Sequence, residues 1–146
     1  MKQVKHVFED FRKIEEIIEK LVQHDWDRMN INRVVPDFEQ LKKIKAEVTV
    51  NCQMLTEIYM YLRGKSKNYP FLDPKDVHRF FIDKLDFSDF TQLHKATLYN
   101  ICLETSVQGE RLKGEPSNMQ RLLRHQFIEV LIRMSLWLFT QEDLKD

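Results

Sequence analysis

The sequence predicts an all-α protein, and three observations support this prediction. Glycine occurs only 3 times and proline only 4 times among 146 residues, so helix-breaking residues are rare. Apolar residues recur at spacings of three and four, which is the period of a helix with one buried face. One stretch, residues 121–140, is apolar on two helical faces and is expected to form the central, most buried helix.

Composition argues against several classes of function. The 23 basic and 23 acidic residues balance, so no excess charge favours nucleic acid or an anionic membrane as a partner. Polar residues interrupt the apolar stretch at 121–140, which argues against a membrane span. The charged start lacks the apolar segment of a signal peptide, and we expect a cytoplasmic protein. Cys52 and Cys102 lie among apolar neighbours and are expected to be buried and reduced.

The first predicted helix covers residues 2–24 and is amphipathic. Its apolar residues follow a heptad seam, and Phe8, Ile17 and Val22 widen the resulting stripe. The six seam residues are Val4, Val7, Phe11, Ile14, Ile18 and Leu21. Two interpretations stay open, because the helix can pack on its own domain or dock on another protein.

A connector and a second helix are predicted next. Residues 25–35 show no sustained period and are interpreted as the connector. The second helix begins after Asp37, which has the spacing of a capping box with Gln40. It extends to Gly64, placed where a glycine commonly follows a helix end. Residues 48–50 are all β-branched, so a kink or break is expected there.

The third helix has the clearest start. Asp73 is predicted to be its N-cap, and Pro74 occupies the first helical position. Leu72 and Val77 have the spacing of a hydrophobic staple across this start. The helix is expected to end near Lys84.

A fourth helix is predicted over residues 89–104 and precedes the longest polar loop. Its inward-facing residues are predicted to be Phe90, Leu93, Thr97, Leu98 and Ile101. Ser117 and Gln120 then form a second capping box, which begins the central helix. The central helix is predicted to bury Phe127, Leu131 and Met134.

The layout from about residue 51 to residue 140 is a pair of helix–loop–helix units. In an EF-hand, the loop ends in a bidentate glutamate, with an aliphatic residue four places before it and a phenylalanine after it. The residues at these places are Leu72, Asp76 and Val77 in the first unit, and Leu122, Gln126 and Phe127 in the second. The chain thus resembles an EF-hand pair, and its block 122–135 is similar to a block in EF-hand-like proteins of protist cilia. This resemblance implies a bridge between the loops and a groove that clamps a partner helix.

The ligand positions depart from the EF-hand pattern. In the first loop, Lys65, Lys67 and Tyr69 stand at ligand positions, and Pro70 replaces the required glycine. Lysines cannot coordinate a dication, so this loop is predicted not to bind calcium. In the second loop the neutral Gln126 replaces the bidentate glutamate. The first three ligand positions of that loop hold Glu115, Ser117 and Met119.

The sequence contains no other constellation typical of a catalytic, metal or cofactor site. The histidines lack zincin and di-iron spacing, and there is no phosphate loop, dinucleotide fingerprint or nucleophile elbow. Arg121, Arg124 and His125 are interpreted either as exposed solubilising charges or as a site for an acidic partner surface. We therefore predict no cofactor, no metal and no enzymatic activity.

Together these observations predict two segments. Residues 1–35 are the amphipathic helix and connector, and residues 36–146 are a degenerate EF-hand-like four-helix domain. The expected function is that of a non-enzymatic adaptor in a ciliary or cytoskeletal assembly, with other protein subunits as partners. The six seam residues are the predicted partner-binding residues. Two alternatives stay open: a calcium-responsive EF-hand sensor subunit, and an accessory subunit of an enzyme complex.

Overall fold

The computed structural model describes residues 2–67, 69–84, 92–107 and 121–145. Within these ranges all regular structure is helical, apart from a single isolated β-bridge. The elements are α1 (Lys2–Arg28), a 3₁₀ helix (Ile31–Arg33), α2 (Phe38–Val50), α3 (Cys52–Lys65), α4 (Pro74–Lys84), α5 (Gln92–Val107) and α6 (Arg124–Lys145). The prediction of an all-α fold is confirmed. None of the helices in the described ranges combines the length and apolarity needed to cross a membrane.

The chain divides into two compact units, Met1–Leu55 and Thr56–Asp146. The first unit contains α1 and α2, and the second contains α4, α5 and α6. This division follows Leu55, whereas the predicted segment boundary follows Val35 and stays a prediction.

The segment predicted as a connector is largely ordered by helical turns. Helix α1 extends to Arg28, past the predicted end at His24, and a 3₁₀ helix follows at Ile31–Arg33. Met29 and Val35 are both buried. The absence of a helical period was misleading here, because short turns can bury single apolar residues without repeating a face.

Helix α2 begins as predicted, but the long second helix is divided in two. The Asp37 side chain accepts a hydrogen bond from the Glu39 N–H at 3.0 Å, which confirms Asp37 as the N-cap. The division falls at Asn51, whose side-chain amide donates to the Glu47 carbonyl at 2.9 Å. Three β-branched residues weaken the helix, and the asparagine after them bonds to the backbone in place of a helical continuation. These residues explain the break that the sequence predicted.

Gly64 is not a helix-terminating glycine. Helix α3 continues through Gly64 to Lys65, so the prediction for this residue is wrong. A glycine is favoured after a helix only when the chain there turns into the left-handed conformation, and sequence position alone does not establish that turn.

In the second unit, helix α4 has the predicted start. Asp73 accepts a hydrogen bond from the Lys75 N–H at 3.0 Å, and Pro74 is the first helical residue. Leu72 and Val77, the predicted staple pair, are both fully buried in the same core. Helix α4 ends at Lys84, as expected.

Helix α5 buries part of the predicted face, because Leu98 is in the core and Ile101 packs against it. Its fully buried side chains are Leu98, Cys102 and Thr105, which are spaced by four and three residues. Leu93 is 75% exposed, so its predicted inward orientation is wrong. Leu93 is in the first turn and lies off the stripe that these residues define. The predicted start at Asp89 and the predicted core residue Phe90 lie outside the described residues.

Helix α6 supplies much of the core of the second unit. Phe127 and Val130 are fully buried and Met134 is buried, in one cluster with residues of α3, α4 and α5. Leu131 packs against that cluster as predicted, but it is only half-buried. The helix begins at Arg124, and the capping box predicted at Ser117 lies outside the described residues.

Truncating Phe127 tests this assignment of the core. We expect Phe127→Ala to lower the free energy of unfolding by about 3–5 kcal/mol, because it removes a fully buried ring and leaves a cavity. Leu93→Ala is the matched control, since an exposed leucine should change stability by less than about 0.5 kcal/mol. Urea denaturation followed by circular dichroism measures both. A loss below about 1 kcal/mol for Phe127→Ala would contradict the assignment.

Candidate functional site

The loops before α4 and α6 meet at the isolated antiparallel bridge. The bridge pairs Leu72 with Leu122, and the Leu122 N–H donates to the Leu72 carbonyl at 2.8 Å. Both leucine side chains are fully buried. These are the two aliphatic residues that the sequence alignment of the two loops placed at equivalent positions.

Tyr59 of α3 forms a hydrogen bond to the bridge. Its hydroxyl donates to the Leu122 carbonyl at 3.1 Å, and its ring lies 5.7 Å from the Phe127 ring. Burial raises the pKa of the Tyr59 hydroxyl, while the neighbouring Arg63 guanidinium acts in the opposite direction. The sequence gives no signal for this bond, although a buried tyrosine hydroxyl usually has a partner.

Gln126 joins the start of α6 to the end of α5. Its side-chain oxygen accepts a hydrogen bond from the Leu123 N–H at 2.8 Å, which is the glutamine half of a capping box. Its side-chain nitrogen donates to the Thr105 carbonyl at 3.4 Å, in the last turn of α5. That carbonyl would otherwise be one of the unsatisfied acceptors at a helix end. Gln126 is therefore a buried structural link with both ends of its amide in use.

The residues at the ligand positions of the first loop do not converge on a common point. Lys65 lies over the Tyr61 ring, with its Nζ 4.5 Å from the ring centroid, and Lys67 and Tyr69 are exposed. The Asp73 carboxylate is used as the N-cap of α4. Among the described residues there is no group of three or more His, Cys, Asp or Glu that could hold a metal ion. Glu115, Ser117 and Met119 of the second loop lie outside the described residues.

Of the three basic residues around the start of α6, Arg124 is partly exposed and the other two are not surface charges. Arg121 and His125 are both buried, and the Arg121 guanidinium lies 5.5 Å from the centre of the Phe71 ring. Neither predicted interpretation fits a pair of buried side chains. These groups contribute to packing around the bridge.

The predicted docking seam of α1 is split between two environments. Ile14 is 51% exposed and Leu21 is also exposed, whereas Ile18 is half-buried. Ile17, which lies outside the predicted seam, is 55% exposed and extends the apolar strip. The side chains of Val4, Val7 and Phe11 lie outside the described part of the structure. We define the exposed strip as Ile14, Ile17 and Leu21, which are spaced by three and four residues.

The two cysteines are free and buried, as expected. Burial raises the pKa of the Cys102 thiol to about 12. Because the thiolate is the reactive form, a thiol with so high a pKa is unsuited to nucleophilic chemistry.

Comparisons with known proteins show no relationship. No family model, no curated protein and no solved structure matches this chain.

The Gln126 link can be tested by removing one of the two hydrogen bonds of its side-chain amide. Gln126→Glu keeps an oxygen for the Leu123 N–H but places a carboxylate oxygen against the Thr105 carbonyl. We expect a loss of about 2–4 kcal/mol in stability at neutral pH, because a buried charge then faces an acceptor. Burial raises the pKa of the introduced carboxyl in the folded state. The loss should therefore shrink as the pH falls, and be smallest below about pH 4, where the group is protonated in both states.

Gln126→Met is the matched control for this experiment. It removes both hydrogen bonds at similar volume without adding a titratable group, so its loss of stability should not follow the same pH dependence. Urea denaturation at several pH values measures both variants. If Gln126→Glu were as stable as the wild-type chain at neutral pH, this result would contradict the proposed link.

Proposed function

We propose that this chain is a non-enzymatic adaptor, built on a degenerate EF-hand-like pair that has lost calcium binding. The observation that carries the proposal is the bridge between Leu72 and Leu122. In the proposed pairing, α3 and α4 flank the first loop, and α5 and α6 flank the second. A bridge that joins equivalent residues of two such loops is the feature that the resemblance implies.

Further equivalent positions support the same pairing. Val77 and Phe127 follow the last position of each loop, and both are fully buried in one cluster. The N-cap residues of the two exiting helices are Asp73 and Leu123, each one residue beyond the bridge. The two helix–loop–helix units thus have a bridge residue, an N-cap residue and a buried apolar residue in the same order along the chain.

The proposed loss of calcium binding follows from the side chains in the ligand positions. Sensor sites use several carboxylate or carbonyl oxygens and a bidentate glutamate. The first loop presents Lys65 and Lys67, and the second ends in Gln126, whose amide already bonds to two backbone groups. A cation at either loop would have to displace these contacts.

Calorimetry with calcium tests this part of the proposal. We expect no saturable heat when micromolar calcium is added to protein stripped with a chelator, because the ligand count is too low. Calmodulin treated in the same way provides a positive control for the procedure. Saturable binding at micromolar calcium would instead favour the calcium-responsive sensor.

The exposed strip on α1 is the proposed contact with other subunits. Ile14 and Ile17 leave more than half of their surface in contact with solvent, and Leu21 continues the strip one turn further on. Helical surfaces of this kind dock on partner helices through apolar residues spaced by three and four. The resemblance to ciliary EF-hand-like proteins favours a ciliary or cytoskeletal assembly in the cytoplasm as the setting.

Charging the strip tests the docking role. We expect Ile14→Asp with Ile17→Asp to reduce capture of partner subunits from extracts of ciliated cells at least about tenfold, since carboxylates cannot be buried in an apolar contact. Quantitative mass spectrometry of material bound to the tagged full chain provides the measurement. Gln92→Asp with Asn100→Asp adds the same charge at exposed positions of α5 and serves as the control.

The stability of the strip variant separates docking from folding. Because Ile14 and Ile17 are exposed, the variant should retain its helical content, with unfolding free energy changed by less than about 1 kcal/mol. Unfolding of the isolated chain by these two changes would place the strip in the internal core and contradict the proposal.

A further inference from the structure

A shallow groove lies between α4 and α5. It encloses about 290 Å³ and is lined by Lys75, His78, Arg79, Ile82, Asp83, Lys95 and Tyr99. Three of these side chains carry a positive charge and one a negative charge. The chain as a whole is neutral, so this groove is a local concentration of basic groups.

The floor of the groove is built from rings held in place by contacts between the two helices. The His78 Nε2 lies 2.9 Å from the Lys95 carbonyl oxygen, and because a carbonyl only accepts, this nitrogen is the donor. The His78 ring meets the Tyr99 ring edge to face at a centroid distance of 5.3 Å. Both rings and the Ile82 side chain are half-buried, so part of the floor is apolar and open to solvent.

The rim of the groove carries the charges. Lys75 and Arg79 are exposed and lie one turn apart on α4, where like charges repel each other. Lys95 faces them from α5. Carboxylates bound in the groove would relieve this repulsion, and the Arg79 guanidinium offers two parallel N–H donors to one of them.

We propose that the α4–α5 groove binds an acidic segment of a partner protein, whose carboxylates pair with Lys75, Arg79 and Lys95 around one apolar side chain on the ring floor. The size of the groove suits one or two side chains. A bare phosphate would leave the half-buried rings uncovered. Duplex nucleic acid is read by an extended basic surface, whereas this groove is small and the chain has no net charge.

Fluorescence anisotropy with the full chain tests the proposal. The probe is a fluorescein-labelled peptide in which single leucines alternate with pairs of glutamates. We expect saturable binding that weakens as salt is added. Arg79→Glu with Lys95→Glu should weaken binding at least about tenfold, because it reverses two of the three charges. Lys43→Glu with Lys67→Glu makes the same change in net charge at exposed lysines that do not line the groove, and should alter binding less than about twofold.

A charge swap distinguishes recognition from a folding defect. The same peptide with lysines in place of glutamates should bind the Arg79→Glu, Lys95→Glu variant more tightly than it binds the wild-type chain. Equal losses of affinity for the acidic peptide in the groove and control variants would overturn the proposal. A peptide with glutamines in place of the glutamates that binds the wild-type chain as tightly as the acidic peptide would also overturn it. Complete displacement of the acidic peptide by an equal concentration of inorganic phosphate, or of a short DNA duplex, would also overturn it in favour of a general anion site.

Discussion

The hydrogen bond between Leu122 and Leu72 is the contact on which the second unit depends. Two loops that pass through a core must satisfy their backbone groups, since an unpaired buried N–H or carbonyl costs as much as a lost hydrogen bond. The Leu122 N–H finds the Leu72 carbonyl, and the Leu122 carbonyl finds the Tyr59 hydroxyl. Helices α4 and α6 each begin two residues after the bridge, so it fixes both starting points.

Side-chain hydrogen bonds cap or connect the helices on either side of the two loops. In the proposed degenerate pair, Asp73 caps α4 and Gln126 ties α6 to the Thr105 carbonyl at the end of α5. An amide serves this second purpose better than a carboxylate, because it both accepts from one backbone group and donates to another. Gln126 thus joins the start of α6 to the end of α5 through its own side chain.

The two proposed binding surfaces differ in chemistry and lie in different units. The strip on α1 is apolar, and it would gain affinity mainly by removing Ile14 and Ile17 from water. The groove between α4 and α5 is basic with a partly apolar floor, and it would gain specificity from paired charges. Neither surface shares residues with the other, so each can be altered by mutation without changing the residues of the other.

The sequence by itself determined the features that depend on a few neighbouring residues. Low glycine and proline content gave the all-α class, Asp37 and Asp73 were identified as caps, and aligning the two loops paired Leu72 with Leu122. The two caps are local features, because a cap is decided within about one helical turn. The pairing of Leu72 with Leu122 was instead suggested by the EF-hand resemblance of the two loops.

Tertiary structure decided which faces are buried and what the polar residues contact. Leu93 and Leu131 both have the spacing of core residues. Leu93 is nevertheless exposed, because it lies off the buried stripe through Leu98. Leu131 lies at the edge of the core cluster and is half-buried. Gln126 has no distinctive sequence signal for its bond to Thr105, which lies in another helix. Apolar spacing predicts that a helix has a buried face, but the positions of neighbouring helices determine where that face begins and ends.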